Sequence, residues 1–223
     1  MKKIRFALMV LAAVLTTMPL ISSQTKFEGK IVMQATGSSA WGRGGGTSTL
    51  NYYVKGDKAR IDMHSDRGDA GIIIDKPNKK MYMVMNAMKS YMEFPMDEKD
   101  NSGTKSEKNE KIKKTGEIKK INGYNCEKWV ITDDEGSSEA WLTKELGSFT
   151  AFSSPMGRQQ KNSWQNEIEG SGEFPMLVIQ KDKEGKETSR MEIKSVEKKS
   201  LDDSFFEVPA GYKEMNMPMG RQK

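Results

Sequence analysis

The sequence predicts a mainly β (α+β) fold built on an antiparallel sheet. Three observations carry this. Short runs rich in aromatic, β-branched and Met residues recur along the chain, with turn residues between them. Gly56-Asp57 separates two alternating apolar runs, and Gly accepts the positive φ that a two-residue hairpin turn needs. Only one stretch, Gly157 to Glu169, has helical spacing, and its apolar stripe is thin, with Trp164 and Ile168.

The elements follow in order. FEGKIVMQA (27 to 35) is the first strand. LNYYVKGDKARIDM (50 to 63) is a hairpin. Pairing across its turn sets Val54 against Ala59, Tyr52 against Ile61 and Leu50 against Met63. Tyr53 then meets Arg60, and Asn51 meets Asp62. One face is apolar and the other polar, as a half-buried sheet requires. AGIIID and KMYMVM form a second hairpin around KPNK. With Asp75 opposite Lys80, Ile74 faces Met81 and Ile72 faces Met83, while Ile73 and Tyr82 share the other face. Both faces are largely apolar, so this part of the sheet is covered on both sides or lines a cavity on one.

Further strands are expected at SYMEF (90 to 94), GEIKKI (116 to 121), CEKWVIT (126 to 132), SSEAWLT (137 to 143), FPMLVIQKD (174 to 182) and ETSRMEIKSVEK (187 to 198). Turns at Asp133–Gly136 and Lys183–Gly185 join the later ones into hairpins. The count comes to about ten strands in a meander. Residues 97 to 115 hold no aromatic residue and one Ile among mixed charges. Such a stretch cannot bury enough apolar area to offset chain ordering, so it reads as a flexible charged loop within one β-rich domain, 24 to 223.

Residues 1 to 23 read as a secretory signal peptide. Lys2, Lys3 and Arg5 precede an apolar run from Phe6 to Leu15, and Ser22 and Ser23 stand before a charged sequence. The run is shorter than the roughly 20 apolar residues of a membrane span. The mature chain is expected to begin near Gln24, with no transmembrane segment, in the periplasm or outside the cell. The chain has 36 Lys and Arg; removing the three in the signal leaves 33 against 31 Asp and Glu, a net charge of +2. That balance, spread through mixed-sign sequence, gives no footprint for nucleic acid.

No constellation of residues compels a chemistry. WGRGGGTST (41 to 49) lacks the Gly-Lys-Ser/Thr ending of a phosphate loop and reads as an inter-strand loop. His64 is the only histidine, beside Asp62, Asp66 and Asp69, with no Ser or Cys in a nucleophile context. The expectation is a protein that is not an enzyme and needs no cofactor. Cys126 is the only cysteine, so no intramolecular disulfide can form; a small buried hydrophobe is its expected role.

Methionine is the compositional anomaly. Of 17, Met1, Met9 and Met18 go with the signal. Met81, Met83 and Met85 alternate on one strand face, and Met215, Met217 and Met219 alternate near the C-terminus. Met fills irregular core space, or lines a pocket for varied apolar ligands. Thioethers also select Cu(I), although neither set includes a His or Cys.

From about Lys26 to Pro218 the chain resembles the secreted bacterial domain-of-unknown-function family 4412. The matching residues are YVKGDKARID, IIIDKPNKKMYMV, KKINGYNCEKWVITDD followed by EAWLTKEL, and FFEVPAGYKEM. That family is similar in fold to the periplasmic lipoprotein carriers LolA and LolB. The resemblance implies a strongly curved antiparallel sheet, a half-barrel with one or few helices covering its concave face and an apolar cavity between. It implies no catalytic residues.

Together these readings lead to a non-enzymatic exported envelope protein that binds a lipid or other apolar ligand. The cavity candidates are Ile72, Ile74, Met81, Met83 and Met85. The alternatives are a periplasmic Cu(I) protein using Met215, Met217 and Met219, and a structural module that binds another envelope protein.

Overall fold

The computed structural model describes residues 27–37, 46–64, 69–96, 111–149, 163–168 and 171–215. Twelve strands form one curved, unclosed sheet. They are β1 (Glu28–Gly37), β2 (Thr47–Lys55), β3 (Lys58–Met63), β4 (Ala70–Asp75), β5 (Lys80–Met85), β6 (Ser90–Pro95), β7 (Lys111–Ile121), β8 (Tyr124–Asp133), β9 (Gly136–Thr143), β10 (Phe174–Asp182), β11 (Glu187–Lys198) and β12 (Lys213–Glu214). Their spatial order is β12-β6-β5-β4-β3-β2-β1-β11-β10-β9-β8-β7. Two antiparallel meanders thus meet at one seam, where β1 pairs with β11. Only β12 runs parallel to its neighbour, β6.

The registers follow from side-chain patterning. Tyr52 pairs with Ile61, Ile61 with Ile72, and Ile72 with Met83. Met83 pairs with Met92, and Ile31 lies opposite Tyr52 on the other side. This row crosses six strands on the inner face, with Ile31, Ile61 and Ile72 almost wholly buried. A neighbouring row runs Val54, Ala59, Ile74, Met81 and Phe94. A slip of one residue would carry every one of these side chains to the other face. Each fully buried aliphatic side chain contributes about 1.5–3 kcal/mol.

The outer face of the same hairpins is also covered. Ile73 has 0% of its surface exposed, and it pairs with Arg60 and Tyr82. The cover is the segment after β11. Asp202 caps a 3-10 turn, Asp203–Phe206, by accepting from the Ser204 backbone N–H. Phe205 and Phe206 of this turn lie edge to face. Phe205 packs on Tyr53 at 4.7 Å, and Phe206 and Leu201 are buried. The segment ends as β12 on the β6 edge, where the Met215 N–H donates to the Tyr91 carbonyl. Covering an edge in this way removes a row of free backbone groups.

Three expectations change. The count rises from about ten to twelve, with β12 at the β6 edge lying outside every run named from the sequence; the simple meander is broken at β1·β11. Strand β7 begins at Lys111, inside the stretch read as a loop, because pairing of Lys111 to Lys114 with Trp129 to Thr132 supplies hydrogen bonds that apolar content does not. The helical stretch appears as one short helix, α1 (Ser163–Ile168), with 157–162 and 169 outside the described residues. Ile168 of α1 joins the core, together with Leu146 and Phe149 from the segment after β9. No helix among the described residues is long and apolar enough to cross a membrane.

Candidate functional site

The candidate site is a cleft of about 190 Å³ at the turn end of β2 and β3. Tyr52, Val54 and Ala59 of the hairpin form one apolar wall, and Phe27 adds to it. Leu146, Gly147 and Ser148 form the facing wall. Gly56, Asp57, Lys58 and Lys76 surround the mouth. The local sequence explains the placement. Gly56 adopts φ +60°, which closes the hairpin tightly. Lys76 begins the four-residue turn between β4 and β5, in which Asp75 accepts from the Asn78 backbone N–H and side chain.

Behind the cleft stands an aromatic cluster. Tyr52 lies 6.2 Å from Phe149 and 5.7 Å from Phe174, and the two phenylalanines meet edge to face at 5.5 Å. These contacts tie the segment after β9 to the inner face of β2. Edge-to-face pairs contribute about 0.5–1.5 kcal/mol beyond the area they bury, so the wall is held firmly.

The five cavity candidates lie on the same inner face but beside the cleft. Ile72 and Ile74 are buried in the core, and Met81 packs against it. Met83 and Met85 are half-buried. Ile74 pairs with the lining residue Ala59, and Met81 follows on the next strand. Ile74 and Met81 therefore continue the row of Val54 and Ala59, whereas Ile72 and Met83 belong to the neighbouring row. Of the C-terminal methionines, Met215 is 43% exposed, whereas Met217 and Met219 lie outside the described residues.

The sequence reading named the hairpin but missed Tyr52, Val54, Ala59 and the two lysines as lining residues. The registers it assigned lay within each hairpin, and the β3–β4 pairing that brings Lys58 beside Asp75 and Lys76 was not among them. Leu146 gave no signal, being one apolar residue in KELGS.

Other chemical groups sit elsewhere. His64 Nδ1 is 2.9 Å from Asp69 Oδ1, and its Nε2 is 3.5 Å from the Asn51 side chain. The pair is exposed, and no hydroxyl or thiol among the described residues contacts it. Cys126 is fully buried, and desolvation pushes its thiol up to about 11, so it remains protonated and unreactive at neutral pH. Among the described residues no three His, Cys, Asp or Glu side chains converge as a metal site.

No curated protein matches the chain in sequence. An uncharacterised conserved protein from Thermus thermophilus is similar in structure, with a TM-score of 0.48 and 8% identity over 84% of this chain and 90% of that one. MucB of Pseudomonas aeruginosa, solved with MucA, gives a TM-score of 0.47 and 10% identity over 82% of this chain and 56% of that one. A putative outer membrane lipoprotein-sorting protein domain from Vibrio parahaemolyticus gives 0.34 and 10% identity over 82% and 91%. The family model for the domain of unknown function DUF4412 matches residues 27–212, and the chain belongs to that family.

Proposed function

We propose that this chain is an exported, non-enzymatic envelope protein that holds a lipid or another apolar molecule against the inner face of its sheet. The observation that carries the reading is the cleft, in which the half-buried Val54 stands at the rim of an apolar lining made by the core residues Phe27, Tyr52, Ala59 and Leu146. Of the adjoining candidates, Ile72 and Ile74 back this face from within the core, while the half-buried Met81, Met83 and Met85 are placed to extend the apolar lining for a longer ligand and to adjust to its shape. Export rests on the charged and apolar order of residues 1 to 23, with the mature single domain running from 24 to 223.

The test is binding of a neutral fluorophore, N-phenyl-1-naphthylamine, to the mature protein. Bright, saturable binding that phospholipid or fatty acid displaces supports the reading. Val54→Trp fills the cleft and is expected to weaken binding about tenfold with the far-ultraviolet circular dichroism unchanged. Met83→Trp reports how far along the row the ligand extends. No binding by the folded wild type overturns the reading. So does tight Cu(I) binding without lipid binding, lost on replacing Met215, Met217 and Met219 by Leu, which favours the copper alternative.

A further inference from the structure

We propose that the outer edge of β7 is a docking edge for an extended acidic segment of a partner protein, which adds to the sheet as a further strand. This surface does not use the cleft.

The place of β7 in the sheet comes first. It is the last strand in the spatial order, and among the described residues nothing pairs with its outer side. The opposite edge ends on β12, which has two residues, whereas β7 has eleven. Every residue of β7 is exposed except Thr115 and Ile121, which are half-buried. A strand left open in this way presents a row of free N–H and C=O groups. The ladder to β8 shifts register between Lys114 and Ile118, and Gly116 there takes φ +74°. The edge therefore offers two regular stretches, 111 to 114 and 118 to 121.

Side chains decide what can pair there. Lys111, Lys113, Lys114, Lys119 and Lys120 make up five of the eleven residues. Lys114 lies over the Trp129 ring at 3.9 Å and Lys119 over the Trp141 ring at 5.2 Å. None of the five forms an ion pair among the described residues. The nearby carboxylates leave a positive excess. Glu117 approaches Lys128 of β8 at 3.9 Å. Glu145 accepts from the Asn125 backbone N–H at 3.1 Å, and Glu127 stands opposite Ile118. The acidic turn 133 to 135 lies beyond the Lys111 end, since Lys111 pairs with Thr132. The excess thus covers residues 113 to 120, where the strand sets four lysines against Glu117.

Lysines and a bulge keep an edge from pairing with copies of itself. An antiparallel copy centred on Gly116 would set Lys113 against Lys119, and like charges directly opposite are destabilising. A strand of opposite charge meets no such barrier. Protection against self-pairing also gives no role to Ile112 and Ile118, which stand 43% and 62% exposed. These two share one face of β7, while Lys113 and Lys119 take the other. A partner strand that alternates acidic and apolar side chains matches both faces. Its carboxylates meet Lys113 and Lys119, its apolar groups cover Ile112 and Ile118, and its backbone completes the ladder.

The experiment measures fluorescence anisotropy of a labelled ten-residue peptide, Glu-Val repeated five times, with the mature protein. It is expected to bind at least tenfold tighter than the Lys-Val peptide of equal length at low salt, and the gap should narrow as salt rises. The Glu-Val peptide N-methylated at every backbone nitrogen keeps its charge but has no backbone donor, and should bind about tenfold weaker. Lys113→Glu with Lys119→Glu should lower Glu-Val affinity about tenfold with the far-ultraviolet circular dichroism unchanged. Lys183→Glu with Lys186→Glu, in the β10–β11 turn, alters the net charge equally and should leave it unchanged. Equal binding of the N-methylated peptide by the wild type overturns strand addition, and needs no variant to fold. Equal loss in both double variants overturns the assignment to β7, since net charge alone would then explain the binding. Binding to vesicles of phosphatidylcholine and phosphatidylglycerol without binding of Glu-Val overturns it in favour of a membrane surface. Dimerisation in sedimentation that Glu-Val does not compete overturns it in favour of a second copy.

Discussion

The Arg60 guanidinium lies over the Phe205 ring, 4.6 Å from its centroid, and its Nη1 donates to the Phe205 carbonyl oxygen at 3.0 Å. Its Nε donates to Asp62 at 2.8 Å. The side chain is only 13% exposed. This residue therefore clamps the C-terminal segment to the outer face of β3, across the middle of a hairpin whose inner face builds the core.

Arg60→Ala should destabilise the protein by about 2–4 kcal/mol, since it removes charge-assisted hydrogen bonds and a cation–π contact and strands Asp62. Phe205→Ala should cost a comparable amount by also releasing Tyr53. In denaturant melts the double variant should show a coupling of about 1–2 kcal/mol between the two sites. Simple additivity would mean that the clamp contributes nothing.

Much of the N-terminal half was legible because local signals and long-range pairing agree there. The registers expected across Gly56-Asp57 and across KPNK match the pairs observed, from Leu50 with Met63 to Asp75 with Lys80. Two-residue alternation fixes which face each side chain takes, and the turn fixes the register. The outer cover was not legible. Phe205, Phe206 and Leu201 lie in a polar stretch with no period, and they find partners more than a hundred residues back in the chain, as the Arg60–Phe205 contact shows. The β1·β11 seam is equally silent, because strand sequence does not say which distant strand it joins. The two-sided apolar character of Ile72 to Ile74 was visible. The reason for it lay in the tail, which packs on the Ile73 face, and in the core, which takes Ile72 and Ile74.

Ile61 tests the inner row directly. It is 2% exposed, between Tyr52 and Ile72. Ile61→Ala should cost roughly 2–5 kcal/mol by lost transfer energy and a cavity. Exposed Lys183→Ala should stay under about 0.5 kcal/mol. Equal, mild effects in urea melts would contradict the observed register.

Glu139 sits between two lysines on β8 and β10. It pairs with Lys181 and, at 2.9 Å, with Lys128. These hydrogen bonds hold its carboxyl below the usual carboxylate range, the Lys181 bond first. A folded-state value lowered in this way means that Glu139 stabilises the fold above its unfolded value, near 4.5, and loses that effect as pH falls through the folded value. Glu139→Gln should therefore cost about 1 kcal/mol at pH 7, a modest figure because the groups are partly solvated. The wild-type advantage should shrink steadily below pH 4.5 in melts of the two proteins. An advantage that stays constant down to pH 2 would show that the carboxylate charge is irrelevant.

Cys126 gives the opposite sign. Burial pushes its thiol from 9.0 up to about 11. The thiol is protonated in both states below the unfolded value, so it adds no pH dependence at neutrality. Between pH 9 and 11 the unfolded chain releases the proton and the folded chain keeps it, so stability falls as pH rises through this window. The loss is of the order of 2–3 kcal/mol, from about 1.4 kcal/mol per pH unit. Raised tyrosine values, such as that of Tyr124, act in the same direction, so the measurement compares wild type with Cys126→Ala. The variant loses the packing of one sulfur at every pH, and its stability curve should run shallower than wild type only above pH 9. Iodoacetamide gives an independent reading: at pH 8 it should label Cys126 in urea-unfolded protein and spare it in the folded form. Rapid labelling of the folded protein would place the thiol at the surface and remove the pH argument along with the burial.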